Sequence, residues 1–310
     1  MMLSRIAESL FWIGRYVARA DGTARILDVH LQLLLEDPWV DEATACSSLV
    51  GVMGAWVDPA SRLNRQTVLD VLAADRKQPA SVAYSLTAAR ENARRAREVI
   101  NTELWESLNQ TKMRMPRKVP LDRAHEFFSW VRERSALVFG IVDSSSSRDE
   151  AWHFFTLGLS LERADMAARL LATRSLTEAS GPSWTTILRS CGAYEAYLRT
   201  YRGTPSATRA AEFLLMDRLF PRSIWFAIST AEECLRNLGP RSERVGISDA
   251  ALRTLGQIRS QLEYMPVPEI IQDLTGHMEE VQSATSLASE EVRQRYFPTN
   301  PIPSWAGDAV

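Results

Sequence analysis

The chain of 310 residues is poor in nearly everything that would announce a chemistry. It has three cysteines, Cys46, Cys191 and Cys234, an odd number at wide spacing. That supports neither a disulfide framework nor a zinc site, and reads as reduced thiols of a cytosol. It also lacks an excess of either charge: 36 Lys plus Arg face 38 Asp plus Glu, a formal net charge of −2. No whole-molecule field draws in nucleic acid or an anionic membrane, so neither is expected as a partner. Long apolar runs are missing too. No window approaches the ~20 apolar residues of a membrane span, and Leu10-Phe11-Trp12-Ile13 is flanked by Glu8 and Arg15, too short for the roughly 7 to 15 residues of a secretory core. A soluble, cytoplasmic protein is expected.

Fingerprints of catalysis are equally scarce. Nucleophile-elbow, phosphate-loop and dinucleotide patterns are absent, so no cofactor is expected on this chain, and ATP with Mg would enter only through a partner. Glu150-Ala151-Trp152-His153 and Asp122-Arg123-Ala124-His125 imitate the acid-x-x-His spacing of di-iron bundles. In a helical hairpin, His125 would lie ~25 Å from the turn and His153 within ~8 Å of it at 1.5 Å rise per residue. His30 and His277 have no ligand-spaced partners, and no metal is expected. The run Ser144 to Ser147 reads as a turn that caps the helix after it, not as a nucleophile.

What is present is helical periodicity. Apolar residues recur at helical spacing in nearly every long segment, and strand-like alternation is missing. The class is all-α, a multi-helix bundle, with helices predicted at about 4–36, 41–56, 66–75, 81–113, 121–142, 148–174, 183–202, 206–219, 222–238, 248–264 and 267–296. Prolines such as Pro79, Pro120, Pro205, Pro221 and Pro266 fall between these segments or at their edges. One helical domain over 1–297 is expected, with two pseudo-repeated halves at about 1–142 and 143–297 as the alternative, followed by a Pro-rich tail at 298–310.

The halves are suggested by a gapless repeat. Gly14, Arg19, Ala20, Asp21, Ala24, Arg25 and Leu27 recur in register as Gly158, Arg163, Ala164, Asp165, Ala168, Arg169 and Leu171. At 100° per residue, Gly158, Glu162, Asp165 and Arg169 fall within about 60° of one another, beside the apolar stripe of Phe154, Leu157, Leu161, Ala164 and Ala168. Asp21 with Arg25, and Asp165 with Arg169, stand four apart in the favourable acid-before-base order. A glycine one to two turns earlier permits close backbone approach. Two such helices packed together would place carboxylates and guanidiniums in one partly desolvated seam, where Arg can grip carboxylate or phosphate bidentately. Two further charged stretches stand out. Arg90, Glu91, Arg94 and Glu98 share overlapping faces of one helix and are candidates to line the seam. Asp217-Arg218-Leu219-Phe220-Pro221-Arg222-Ser223 places Arg222 at a helix start, where anions are attracted.

These residues carry a resemblance. Leu3-Ser4-Arg5 with Leu10-Phe11-Trp12-Ile13-Gly14-Arg15-Tyr16, Ala89 through Arg97, Leu161-Glu162-Arg163-Ala164-Asp165-Met166 and Asp217 through Ser223 look like the alpha-E family, a bacterial helical domain, over most of the chain. The resemblance implies association with circularly permuted ATP-grasp ligases and transglutaminase-like proteins, and hence a part in making or modifying peptide or amide bonds. Ala18 stands where the family's first motif usually has Glu, which removes one carboxylate from any mechanism needing both repeats acidic there.

Three functional readings follow. In the first, the chain is a helical accessory or substrate-binding subunit of an ATP-grasp-type ligase system. It would present Arg19, Asp21, Arg25, Glu162, Arg163, Asp165 and Arg169 to a peptide or amino-acid-like substrate. In the second, it acts on an amide itself, with Glu162 or Asp165 as general base and the arginines stabilising developing negative charge. In the third, the charges form a structural ion-pair network in a homodimeric interaction protein.

Overall fold

Short polar residues begin most of the helices by accepting a hydrogen bond from a backbone N–H in the first turn. Asp41 caps from Thr44, Asn64 from Thr67, Ser81 from Tyr84, Asn101 from Leu104, Ser183 from Thr186, Ser206 from Arg209, Ser223 from Phe226, Asp249 from Leu252 and Asp273 from Gly276. The structure is a computed structural model that describes residues 2–36, 41–58, 63–175, 183–239 and 246–298. The Pro-rich tail beyond residue 298, with Pro38, Pro59, Pro182 and Pro240, lies outside the described residues. Fourteen α-helices and no strand occur among the described residues. They are α1 (Ser4–Glu36), α2 (Glu42–Val52), α3 (Arg65–Val68), α4 (Val82–Arg95), α5 (Thr102–Arg114), α6 (Ala124–Ser145), α7 (Glu150–Ser175), α8 (Trp184–Ser190), α9 (Tyr194–Tyr201), α10 (Ala207–Met216), α11 (Ile224–Leu238), α12 (Ala250–Tyr264), α13 (Val267–Gln272) and α14 (Leu274–Tyr296). A π-helical turn, Leu69–Ala74, prolongs α3, and a 3₁₀ turn, Leu121–Arg123, leads into α6. The all-α bundle expected from periodicity is the fold observed.

Three of the long helices expected from periodicity are each two helices. The segment 81–113 breaks over residues 96–101 because Asn101 caps a new helix. The segment 183–202 breaks at Gly192, whose φ of 63° needs the left-handed region. The segment 267–296 breaks at Asp273, which caps α14. The serine run also behaves differently from its expected capping role. Ser144 and Ser145 donate back to the carbonyls of Gly140 and Ile141, extending α6, and Asp149 Oδ1 accepts from the N–H of Ala151 and Trp152 at the start of α7. A charged carboxylate is the stronger acceptor at a helix N-terminus.

α1 and α7 lie parallel and in register at the centre of the molecule. Gly14 faces Phe155, Gly158 faces Phe11, and Gly22 faces Met166. α4 and α6 pack on α1, while α11 and α14 pack on α7; α5 lies against α4 and α6, and α12 against α11 and α14. Phe11, Ile13, Val17, Leu157 and Leu161 are fully buried along this axis, each worth roughly 1.5 to 3 kcal/mol of apolar burial. The parallel pairing aligns the charged residues of the two copies of the repeat across one seam. Among the described residues no helix is long and apolar enough to cross a membrane.

Candidate functional site

The seam exists because two glycines let the backbones touch. A Cβ on Gly14 would lie 2.1 Å from the carbonyl oxygen of Phe155, and one on Gly158 would lie 2.0 Å from that of Phe11. One turn further on, Glu162 of α7 reaches across to α1. Arg15 Nε donates to its Oε2 at 2.8 Å, Arg19 Nε to its Oε1 at 2.5 Å, and Arg19 Nη2 to its Oε2 at 3.0 Å. Arg15 Nη1 also donates to Ser289 Oγ at 2.7 Å, tying α14 into the same contact. Glu162 is 1% exposed. Burial alone would raise its pKa, but Arg19 and Arg15 outweigh burial and bring it down to about 2. Glu162 is a fixed anion that occupies two guanidiniums.

Two aspartates flank this contact, one on each side. On the α1 side, Arg25 Nε donates to Asp21 Oδ1 at 3.1 Å, and Arg222 Nη2 donates to Asp21 Oδ2 at 2.6 Å. Burial opposes the charge of Asp21, and Arg222 and Arg25 overcome it, so its pKa is lowered. Arg163 lies nearby with its guanidinium 5.2 Å from the centre of the Phe139 ring. No carboxylate lies within ion-pair distance of Arg163 among the described residues. Burial, followed by the charge of Arg222, pulls its pKa down to about 9. The space left here, bordered by Ala18, Gly22, Arg163, Ser190, Cys191 and Arg222, is about 30 Å³.

On the α7 side the same construction stays open. Arg169 Nε donates to Asp165 Oδ2 at 2.8 Å, but Asp165 Oδ1 is buried without a hydrogen-bond partner. Asp165 is one of the residues lining a cavity of about 250 Å³, together with Arg19, Glu162, Arg169, Met53, Gln78 and Ala80 among others. Burial and then the charge of Glu162 raise the pKa of Asp165, with Arg169 and Arg15 opposing only in part. The two aspartates occupy equivalent places in the repeat and are driven in opposite directions.

The difference has a sequence cause in a second repeat. Asp217-Arg218-Leu219-Phe220-Pro221-Arg222-Ser223 has a counterpart in Asp75-Arg76-Lys77-Gln78-Pro79-Ala80-Ser81. Both turns close identically. Ser223 Oγ donates to the Asp217 carbonyl and accepts from the Phe226 N–H, as Ser81 Oγ donates to the Asp75 carbonyl and accepts from the Tyr84 N–H. Arg222 and Ala80 are therefore equivalent positions: one donates a guanidinium N–H to Asp21, the other presents a methyl group to the cavity that Asp165 lines. Met53-Gly54-Ala55 and Cys191-Gly192-Ala193 repeat as well. Gly54 and Gly192 both have φ near 60° and lie against Arg169 and Arg25 respectively. Only glycine accommodates that conformation without strain.

Of the residues singled out in the sequence, Arg19, Asp21, Arg25, Glu162, Arg163, Asp165, Arg169 and Arg222 meet at the seam, and Asp217 holds the turn that delivers Arg222 through bonds from the N–H groups of Leu219 and Phe220. Arg90, Glu91, Arg94 and Glu98 do not line either cavity. Glu91 binds Arg90 at 2.7 Å and Arg94 at 3.1 Å, Arg90 also donates to Asn109 Oδ1 and stacks on Trp105, and Glu98 borders a groove with Met2 and Leu3. Arg15, Ala80, Gly54 and Gln78 were not singled out as site residues. The Asp-Arg-x-x-Pro-x-Ser spacing at 75–81 and 217–223 is the signal that points to Ala80. His125 binds Asp28 at 2.8 Å, and no group of three His, Cys, Asp or Glu side chains able to hold a metal occurs among the described residues.

The Alpha-E family, described as a predicted alpha-helical domain with a conserved ER motif, matches residues 2–297. Glu162-Arg163 is a Glu-Arg pair at the centre of the seam. Among curated proteins the chain is similar to uncharacterized proteins of Mycobacterium tuberculosis (strain ATCC 25618 / H37Rv) and Mycobacterium bovis (strain ATCC BAA-935 / AF2122/97). Each is 24% identical over 262 residues, covering 76% of this chain and 30% of the relative. The chain thus spans under a third of the length of these relatives. No solved structure matches.

Proposed function

The chain belongs to the Alpha-E family, and from that premise we propose that it is a helical accessory subunit that binds a peptide or amino-acid-like substrate for an ATP-grasp-type ligase in peptide or amide bond formation. One observation carries the binding part: Asp165, whose Oδ1 is buried and unpartnered, lines a cavity of about 250 Å³ together with Arg19 and Arg169. A buried carboxylate oxygen left without a partner costs free energy, and such groups persist where a ligand completes them. The volume falls just below the ~300 to 1,000 Å³ of drug-sized sites, which suits an amino acid or one end of a peptide. The partner part rests on the family resemblance: a circularly permuted ATP-grasp protein supplies ATP and Mg, with a transglutaminase-like protein as a second associate, in the cytoplasm.

A second reading has one observation in its favour, the raised pKa of Asp165. A carboxylic acid tuned upward can act as a general acid or base on an amide. Glu162, held at about 2 by Arg19 and Arg15, is too weak a base for that role, so it would fall to Asp165 with Arg19 and Arg169 facing the developing charge. Mixing the purified chain with the ATP-grasp protein of its own organism, with and without Asp165→Asn, separates these readings. Substrate-dependent ATP hydrolysis that needs the chain and is lost with Asp165→Asn supports the accessory role. Amide hydrolysis by the chain alone, lost with the same variant, supports the enzyme. If the partner neither binds nor responds, the accessory role is refuted.

A further inference from the structure

The seam carries its own template for what belongs in the open cavity. On the closed side, Asp21 receives two guanidiniums, Arg25 from its own helix and Arg222 from the turn before α11. On the open side, Asp165 receives only Arg169, and the turn before α4 presents Ala80 instead of an arginine. The remaining cations of that side, Arg15 and Arg19, are already taken by Glu162. We propose that the Asp165 cavity binds a cationic nitrogen group, a guanidinium or ammonium, paired with the Asp165 carboxylate in the place that Arg222 fills beside Asp21. This deepens the binding role proposed above and rests on it.

Charge bookkeeping allows the extra cation. The closed side gathers Arg25, Arg163 and Arg222 around Asp21, an excess of two positive charges. The open side gathers Arg15, Arg19 and Arg169 around Glu162 and Asp165, an excess of one. One added cation makes the two sides equal. Hydrogen-bonding capacity points the same way. Arg19 Nε and Nη2 and Arg169 Nε are already directed at carboxylates, while Asp165 Oδ1 is a buried acceptor that receives no donor. An ionised carboxylate oxygen is best satisfied by a charged N–H donor. The ligand class is therefore an arginine-like or amine-bearing side chain, or the amino end of a small peptide.

The test uses the full chain, calorimetric titration and four small probes: agmatine and putrescine as cations, and glutamate and inorganic phosphate as anions. Agmatine or putrescine is expected to bind, with affinity falling at least about tenfold, the effect of losing one charge-assisted hydrogen bond, in Asp165→Asn. Ala80→Arg supplies from the protein the guanidinium that the ligand would bring. It is expected to abolish agmatine binding and raise the melting temperature above that of Ala80→Leu, which fills the same space without charge. Tighter binding of glutamate or phosphate than of either cation overturns the proposal. So does absence of binding by agmatine and putrescine together with an Ala80→Arg variant no more stable than Ala80→Leu. The two levels fail separately. If the cations bind as expected but Ala80→Arg leaves the ATP-grasp assay unchanged, the accessory role falls and the ligand class stands. If the cations do not bind but Asp165→Asn still abolishes that assay, the site stands and the ligand class falls.

Discussion

Gly14→Ala and Gly158→Ala test whether the seam is built on backbone contact. A carbon placed at either position would sit 2.1 or 2.0 Å from a main-chain carbonyl oxygen of the opposite helix. An unstrained contact needs roughly 3.4 Å or more, so α1 and α7 must separate by about 1 Å or more along their shared axis. Neither obstacle is a flexible side chain that can turn away. Overpacking of this kind typically costs 1 to 3 kcal/mol, occasionally more, and the better helix propensity of alanine returns up to ~1 kcal/mol. We therefore expect a net loss of about 2 kcal/mol for each variant by urea unfolding, seen as a lower midpoint with an unchanged slope. The same separation relieves both clashes, so the double variant should lose less than the sum of the two. Gly140→Ala is the control: it lies in α6 with nothing within 4 Å of the added carbon, and it should be neutral or stabilising by up to ~1 kcal/mol. If Gly14→Ala and Gly158→Ala unfold at the same urea concentration as Gly140→Ala, the close parallel approach of α1 and α7 is refuted.

Glu162→Gln should destabilise by about 3 to 5 kcal/mol, because it strands Arg15 and Arg19 in a buried place; retention of wild-type stability would refute the bridging role. Glu162 has its pKa lowered from 4.5 to about 2, so its contribution is full above pH 4.5 and is lost as pH falls toward 2. That amounts to about 3 kcal/mol over the window, and a stability profile measured from pH 6 to 2 should be flatter in Glu162→Gln. Ser81→Ala and Ser223→Ala each remove a fully buried hydroxyl that both donates and accepts. Losses of roughly 1 to 2 kcal/mol are expected from each, and a loss in one with none in the other would contradict the equivalence of the two turns.

Most of the seam was legible because its two halves are written in one register of one sequence. Asp21 and Arg25, repeated as Asp165 and Arg169, form the i,i+4 pairs that spacing demands, and the glycines before them make the close approach that spacing allows. Arg15 escaped because its counterpart is Leu159, so it lies outside the repeated letters although it completes the hold on Glu162. Ala80 escaped for a different reason. An alanine attracts no notice until the turn that carries it is superimposed on the one that carries Arg222, and Asp75 to Ser81 reads alone as a linker with a proline. The divided helix at 81–113 was hidden because residues 96–100 contain neither glycine nor proline; the only local mark is the cap at Asn101. For the charged run at Arg90 to Glu98, periodicity gives a helix face without saying which neighbour it meets. In the fold that face closes on Asn109 and Trp105 of α5.

The measurement that bears most directly on the site is the stability of Asp21→Asn beside Asp165→Asn at pH 7, by urea unfolding. Asp21 is a carboxylate stabilised by two guanidiniums with a lowered pKa, so its neutral replacement should lose about 3 kcal/mol or more. Asp165 has a raised pKa and a buried oxygen without a partner, so ionisation costs stability above its unfolded pKa, and Asp165→Asn should match or exceed the wild type. Equal losses in the two variants would mean that Asp165 is as structural as Asp21, and that the cavity beside it is not a site held open for a ligand.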